Sequence, residues 1–175
     1  MIQENGDDFS DTLRQRISKA RRIAVVGIGD DLSPVDRLGM VAAREIEKMH
    51  LPGMKVFLAG TVPENITGII RKCKPDHVVF IDSADMGLLP GSIMMLKPEE
   101  TQVSLVASHV IPLSVVLDFV RHDTGAGVTL LGIQPDLTRV NKVLSPSDQA
   151  RLSRNLTVLL DTLREICCRQ NGRGK

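Results

Sequence analysis

The chain has 175 residues, of which 42% are hydrophobic and 25% are charged, and its formal net charge at pH 7 is +1. This length and composition are typical of one globular domain. The near-neutral charge and the absence of tyrosine and tryptophan argue against a nucleic-acid-binding protein, which needs a basic surface and stacking aromatics. Neither a signal peptide nor a membrane-spanning run of roughly 20 apolar residues is apparent, so a cytoplasmic location is expected.

Apolar periodicity predicts that helices and strands alternate over the first half of the chain. Phe9, Leu13 and Ile17 recur at every fourth residue, as in an amphipathic helix, whereas Ile23–Ile28 is continuously apolar, as in a buried strand. The predicted elements of this half are a helix near residues 9–20, a strand at Ile23–Ile28, a helix from about Leu38 to Met49, a strand at Met54–Leu58 and a short helix over residues 66–74.

The glycine-rich turn after the first strand raises the hypothesis of a dinucleotide site. Gly27-Ile28-Gly29 follows a strand and precedes a helix, but Leu32 stands where the nucleotide fingerprint requires a third glycine. The second strand also ends at Leu58, without the acid that would bind a ribose hydroxyl. A dinucleotide-binding domain is therefore disfavoured.

A third buried strand is predicted at Val78–Ile81, and it ends in the polar stretch Asp82-Ser83-Ala84-Asp85-Met86-Gly87. In open α/β sheets, ligands bind in the crevice at the carboxyl ends of the strands, which is where Asp82 would lie. The alternative is that Asp82 only caps the following turn.

The second half repeats the alternation, with one extra strand too close to its predecessor for a helical crossover. Its predicted elements are an antiparallel strand at Ile93–Leu96, a helix from Pro112 to about Val120, a strand at Val128–Ile133 and a closing helix from near Ser145 or Ser147 to Ile166. Cys73 is expected to pack in the core, and His77 and His122 are expected on the surface.

This order predicts a single three-layer α/β/α domain over residues 1–168, followed by a disordered basic tail at 169–175. The sheet should be twisted and mostly parallel, with one antiparallel edge strand.

Three chemically active side chains fall on loops that such a fold can bring together. Asp36 follows the first strand, Asp82 follows the third, and His109 precedes a later helix. Two carboxylates and an imidazole suit a borderline divalent ion such as nickel or zinc. A helix cap, a turn cap and a surface histidine are the alternative interpretation.

Several motifs taken together resemble the NiFe-hydrogenase maturation endopeptidases, most closely the branch that processes hydrogenase 3 of the formate hydrogenlyase type. The resemblance covers residues 23 to 165. It rests on Gly27-Ile28-Gly29 with Asp36 and Gly39, Gly60-Thr61 with Pro63-Glu64-Asn65, the Asp82–Gly87 stretch with Pro90-Gly91, Ser108-His109 and Gly132-Ile133-Gln134-Pro135.

The resemblance implies an aspartyl-type, nickel-dependent endopeptidase with a hydrogenase maturation protease-like fold. Such an enzyme removes the C-terminal extension of the hydrogenase large-subunit precursor after nickel insertion, so this precursor is the expected partner and the nickel is expected to arrive within it. Zinc or another divalent ion could occupy the site in vitro. The implied metal ligands are Asp36, Asp82 and His109, the implied catalytic base is Asp36 or Asp82, and the implied substrate contacts are Gly60, Thr61, Asp85 and Gln134.

The chain also departs from the family pattern. Asp30 replaces a usual asparagine, the first ligand lies in Val35-Asp36-Arg37 instead of Asp-Asp-Gly, and Leu58 replaces a common aspartate. These changes favour a second hypothesis, in which the protein is a noncatalytic nickel-sensing assembly factor of the same fold.

Overall fold

The computed structural model describes residues 6–97, 111–139 and 142–171. The described strands are β1 (Ile23–Ile28), β2 (Met54–Gly60), β3 (His77–Ser83), β4 (Ile93–Leu96) and β5 (Gly127–Ile133). The described α-helices are α1 (Gly6–Ile17), α2 (Leu38–Glu47), α3 (Thr67–Cys73), α4 (Leu113–Thr124) and α5 (Pro146–Asn171). Short 3₁₀ helices lie at Pro63–Ile66 and Leu137–Arg139.

The five strands form one sheet in the order β2-β1-β3-β5-β4. The β1–β2, β1–β3 and β3–β5 pairs are parallel, and the short edge strand β4 runs antiparallel to β5. The predicted mostly parallel sheet with one antiparallel edge strand is confirmed. The connections reverse direction between β1 and β3, and this topological switch point is where doubly wound proteins bind their ligands.

Helices cover both faces of the sheet, because its central strands carry apolar side chains on both sides. Every residue of β1 and β3 is buried. Val25 and Val79 point to one apolar cluster, which includes residues of α1, α2 and α5. Val26 and Phe80 point to a second cluster, built with α3 and α4. The continuous apolar runs in the sequence follow from this two-sided burial.

Glycines allow α2 to lie unusually close to the sheet at the switch point. A Cβ atom at Gly39 would collide with the main-chain oxygens of Ile28 and Ile81, and one at Gly27 would lie 2.5 Å from Cβ of Ala43. The start of α2 therefore rests directly on the carboxyl ends of β1 and β3. This contact determines where Asp36 lies.

Helices α1 and α5 have boundaries that differ from those predicted. Helix α1 spans Gly6–Ile17 and not residues 9–20, because the periodic residues that marked it lie in its last two-thirds. Helix α5 continues to Asn171, so residues 169–171 belong to a helix and not to the predicted tail. Residues 172–175 lie outside the described ranges.

The prediction that His77 is a surface residue is wrong. It is the first residue of the central strand β3, and its ring is buried with Nε2 2.9 Å from the hydroxyl of Thr129. Burial, together with the positive charge of Arg16, lowers the pKa of His77 to about 4. By contrast, His122 is exposed on α4, as predicted.

The prediction that Cys73 packs in the core is also wrong. This thiol is only partly buried at the end of α3, with Nζ of Lys55 3.6 Å from Sγ. The buried thiol is that of Cys167, whose pKa is raised to about 11 by burial and by the adjacent Cys168. The three thiols are free, as expected.

Within the described ranges, no helix combines the length and the apolar character needed to cross a membrane.

Candidate active site

Asp36 lies two residues before α2 and is 5% exposed. The residue at the N-cap of α2 is Arg37, whose side chain makes no capping hydrogen bond. The carboxylate of Asp36 turns back instead, and its Oδ2 accepts a hydrogen bond from the main-chain N–H of Asp30 at 2.8 Å. It therefore closes the loop between β1 and α2.

Asp82 is the penultimate residue of β3 and is 1% exposed. It pairs in register with Gly132 of β5, and its Oδ1 accepts a hydrogen bond from the N–H of Ser83 at 2.7 Å. The sequence placed Asp82 just after the strand, but the strand contains it. Its carboxylate is therefore oriented by the sheet itself.

One hydrogen bond joins the segment that contains Asp36 to the segment that contains Asp82. The N–H of Leu38, the first residue of α2, donates to Oγ of the fully buried Ser83 at 3.2 Å. Leu38 follows Asp36 by two residues, and Ser83 follows Asp82 by one. Both aspartates thus lie close in the chain to this contact at the β1–β3 switch point. The sequence analysis gave no separate role to Ser83, although its place directly after Asp82 was the available signal.

Gln134 uses its side chain to hold the loop that follows β3. Its Oε1 accepts hydrogen bonds from the N–H groups of Met86 at 2.6 Å and Leu88 at 3.3 Å, and its Nε2 donates to Oδ1 of Asp85 at 3.3 Å. Gln134 is buried, whereas Asp85 is exposed on the rim. The predicted role of Gln134 in substrate binding would therefore be exerted through the position of this loop.

Helix α5 holds the same loop at its far end. Nη1 of Arg151 donates to the carbonyl of Pro90 at 2.7 Å, and Nδ2 of Asn155 donates to that of Gly91 at 3.0 Å. Gly91 adopts φ of +88°, and a Cβ atom there would lie 2.5 Å from the carbonyl oxygen of Asp148. The sequence analysis missed this role of Arg151 and Asn155, because nothing in a helical repeat indicates a contact with a loop about sixty residues away.

Gly60 and Thr61 lie at the carboxyl end of β2, on the same edge of the sheet. The carbonyl of Gly60 accepts a hydrogen bond from the N–H of Gly29 at 3.0 Å, and its φ of +61° turns the chain away from the strand. Thr61 is exposed. Both residues are placed where a bound peptide could reach them, and their role in substrate binding stays a prediction.

His109 lies outside the described residues, so the predicted trio with Asp36 and Asp82 also stays a prediction. Over residues 6–97, 111–139 and 142–171, no three histidine, cysteine, aspartate or glutamate side chains lie close enough together to hold a metal ion. The described part of the chain supplies two carboxylates near the switch point, and carboxylates are hard oxygen donors for a divalent cation.

The protein is thus a three-layer α/β protein that has acidic residues at the topological switch point of its sheet. A family model described as hydrogenase maturation protease matches residues 40–161. The crystal structure of a hydrogenase maturation protease from Thermococcus kodakarensis aligns with a TM-score of 0.73 and 29% identity, covering 87% of this chain and 99% of that one. The chain belongs to the hydrogenase maturation protease family, whose members are endopeptidases.

Relatives from Escherichia coli extend the likeness. The hydrogenase 3 maturation protease of strain K12 is 31% identical over 111 residues, which are 63% of this chain and 70% of that protein. The structure of the hydrogenase maturating endopeptidase HybD aligns with a TM-score of 0.63 and 27% identity, covering 82% of this chain and 93% of that one.

Proposed function

We propose that this protein is a nickel-dependent endopeptidase that removes the C-terminal extension of a NiFe-hydrogenase large-subunit precursor after nickel insertion, in the manner of the hydrogenase 3 branch. The observation that carries the proposal is the pair of buried carboxylates, Asp36 and Asp82, at the switch point of a fold shared with hydrogenase maturation proteases.

Nickel is part of the substrate in this proposal, because the cysteine thiolates of the precursor hold it before cleavage. Asp36, Asp82 and His109 would bind the open positions of that nickel and so place the scissile bond over the crevice. A precursor without nickel offers no positive charge to the two carboxylates and binds less well. The protein would thus distinguish nickel-loaded from nickel-free precursor by the difference in binding affinity.

The same carboxylates supply the chemistry of hydrolysis. A divalent metal held by Asp36, Asp82 and His109 would polarise the scissile carbonyl and lower the pKa of an attacking water. Asp36 or Asp82 would take the proton from this water, with the departing amine as its final acceptor. The sheet and the Asp30 N–H orient these carboxylates before substrate arrives, which lowers the entropic cost of the reaction.

The proposal is tested by incubating the purified protein with nickel-loaded and nickel-free forms of a large-subunit precursor. Shortening of the nickel-loaded form alone, detected by intact mass, is expected. Equal shortening of both forms would contradict nickel dependence.

Nickel binding by the crevice should weaken on acidification, because His109 must be neutral to coordinate. The affinity should fall first near the ordinary histidine pKa of about 6.5. A titration in which nickel binding is unchanged well below this pH would remove His109 from the ligand set.

A noncatalytic nickel-sensing assembly factor is the second candidate function. It is favoured by Leu58, which is 38% exposed at the end of β2 where the family commonly has an aspartate. Such a factor would bind the nickel-loaded precursor and leave its mass unchanged. The incubation above therefore separates the two functions, and zinc-loaded controls show whether another ion can replace nickel.

A further inference from the structure

The two edge strands of the sheet are protected to different degrees. Strands β2 and β4 lie at opposite edges, in the order β2-β1-β3-β5-β4. Strand β4 has four residues, its end residues Ile93 and Leu96 are buried, and α1 lies against it. Strand β2 has seven residues, and none of them is buried. Over the described ranges, β1 is the only strand that pairs with β2, so the other side of β2 is an open edge.

The open edge belongs to a well-anchored strand, because side chains on both faces of β2 pack on the core. Met54 and Val56 pack against the apolar cluster that includes residues of α1, α2 and α5. Phe57 and Ala59 pack against the cluster built with α3 and α4. An edge strand leaves a row of main-chain N–H and C=O groups without strand partners on its outer side. On β2 these groups are held in strand geometry and can pair with a further strand.

The composition of β2 favours pairing with a different chain over pairing with a second copy. It contains no proline, and Lys55 is its single charged residue. Both Lys55 and Leu58 are exposed. An antiparallel pair of two β2 strands would bring two Lys55 ammonium groups onto one short ladder, and lysine on an edge strand disfavours such self-pairing. An extended segment of another protein need not meet this repulsion.

The carboxyl end of β2 lies level with the proposed active site. Gly27 of β1 pairs with Leu58 on one side and with Ile81 on the other, so Leu58 has the same height in the sheet as the residue before Asp82. Neighbouring strands are about 4.8 Å apart, so a strand added outside β2 would lie about 14 Å from β3. Roughly four extended residues span this distance. A peptide that pairs with β2 can therefore reach the switch point within a few residues.

We propose that the open edge of β2 binds an extended segment of the large-subunit precursor, near the scissile bond, as an added strand. The inference rests on the proposed function in taking this precursor as the ligand. Main-chain hydrogen bonds along the strand would supply affinity, and contacts with Lys55 and Leu58 would select among sequences. The nickel fixes one point of the precursor and the added strand fixes its direction, so the two contacts together orient the peptide bond.

Hydrogen exchange of β2 measures strand addition directly. Full-length Asp82→Asn, which should not cleave, is mixed with nickel-loaded precursor at about ten times the dissociation constant of this variant, so that about nine-tenths is bound. The outer amides of Met54–Gly60 should then exchange roughly tenfold more slowly, because each gains an acceptor in the complex. Amides of β4 should not change. Equal exchange of β2 amides in the free and the bound protein would overturn the inference.

A substitution on the open edge should weaken precursor binding. Leu58→Lys adds a second positive charge to this edge and should raise the dissociation constant by about threefold to tenfold, with the unfolding midpoint unchanged. The matched control is Met94→Lys on β4, since Met94 is 36% exposed and Leu58 is 38% exposed. Equal affinities of the parent and both variants would contradict strand addition at β2.

The remaining outcomes separate the second copy and the proposed function from this inference. Protection of β2 amides that rises with protein concentration, without precursor, would show that a second copy occupies the edge and would overturn the inference. A parent that shortens the nickel-loaded precursor, with β2 unprotected in the complex, would support the proposed function and refute strand addition. A parent that binds the precursor with β2 protected, and cleaves nothing, would refute the proposed function and leave strand addition intact.

Discussion

The carboxylates at the two ends of strand β3 have different hydrogen-bond donors. Asp76, immediately before the strand, accepts hydrogen bonds from the N–H groups of Arg21 and Arg22 at 3.0 and 2.8 Å and from the guanidinium of Arg22 at 3.1 Å. Burial opposes its ionisation, but the hydrogen bonds from Arg22 and Arg21 outweigh burial and hold its pKa below the usual value. Asp82, near the other end, is 1% exposed and receives the N–H of Ser83.

The acids at the two edges of the sheet have different proposed roles. An arginine that binds Asp76 fixes the carboxylate and also balances its charge. Asp36 and Asp82 lie at the other edge of the sheet, where each accepts a hydrogen bond from a main-chain N–H, and they belong to the proposed active site. We therefore expect substitutions at the carboxyl edge to alter activity and substitutions at the amino edge to alter stability.

The largest effect is expected for Asp82→Asn. Asparagine keeps the volume and a hydrogen-bond acceptor, so the strand should persist, while the negative charge needed beside a metal is lost. Cleavage of nickel-loaded precursor should fall by a factor on the order of a thousand or more. Added nickel should not restore it, because in the proposed function the metal arrives within the substrate.

Thermal unfolding of Asp82→Asn should be measured in parallel with precursor cleavage, and His109→Ala serves as a companion variant. A variant that cleaves at the normal rate, or that loses activity only in proportion to lost folded protein, would remove Asp82 from the site.

At the amino edge, His77 should make the protein sensitive to acid. The unfolded chain takes up a proton near pH 6.5 but the folded protein only near pH 4, so the unfolded state binds more protons in this window. The free energy of unfolding should fall as the pH is lowered from 6.5 to 4, by about 3 kcal/mol at most from this group.

Denaturant unfolding of the parent and of His77→Gln at pH 7 and pH 4 measures this contribution. The glutamine variant should lose less stability over the interval, and His122→Gln, at an exposed position, should behave like the parent. Identical pH dependence in all three proteins would show that His77 does not titrate as described.

A smaller effect is expected for Gln134→Ala, which releases the loop after β3. Removing the amide leaves the N–H groups of Met86 and Leu88 without their acceptor and should cost about 1–3 kcal/mol of stability. Hydrogen exchange should increase at these two amides, and cleavage should slow as the loop loses its position. The control is Gln149→Ala, which changes an exposed glutamine on α5. Unaltered hydrogen exchange in Gln134→Ala would show that Gln134 does not hold this loop in place.

The smallest effect is expected for Asp76→Asn. This change weakens a partly exposed ion pair and keeps an acceptor for the two N–H groups, so the unfolding free energy should fall by about 1 kcal/mol. The rate of precursor cleavage by the folded protein should not change. A large loss of kcat here would erase the distinction between the two ends of β3.

Much of the fold could be predicted from the sequence because burial dictates local patterns. Ile23–Ile28 and Val78–Ile81 lack alternation since both sheet faces are covered, and the short spacing before Ile93–Leu96 excludes a helical crossover. The wrong predictions for His77 and Cys73 concern residues at the ends of elements, where apolar periodicity does not indicate burial. A strand that begins one residue earlier, or a helix that ends at its exposed side, reverses the burial of a single boundary residue.

The site was less accessible to sequence reasoning because it is made by contacts between distant segments. Asp36 and Asp82 could be selected by their places after strands, but the bond from Leu38 to Ser83 that joins their surroundings has no signature in either segment. The same is true of the open edge of β2, which depends on the order of the strands in the sheet and not on the residues of β2 alone.

Hydrogen bonds from α5 hold the loop after β3, and they affect the order in which parts of the fold form during protein synthesis. Arg151 holds the carbonyl of Pro90, a residue that is translated 61 residues earlier. Because ribosomes build proteins from the amino end, the loop emerges well before the helix that fixes it. On a nascent chain, β1 and β3 can pair first, and the loop after β3 takes its final position only when the later helix docks. Competence to process a precursor would therefore require that helix α5 has been synthesised and has docked on the loop.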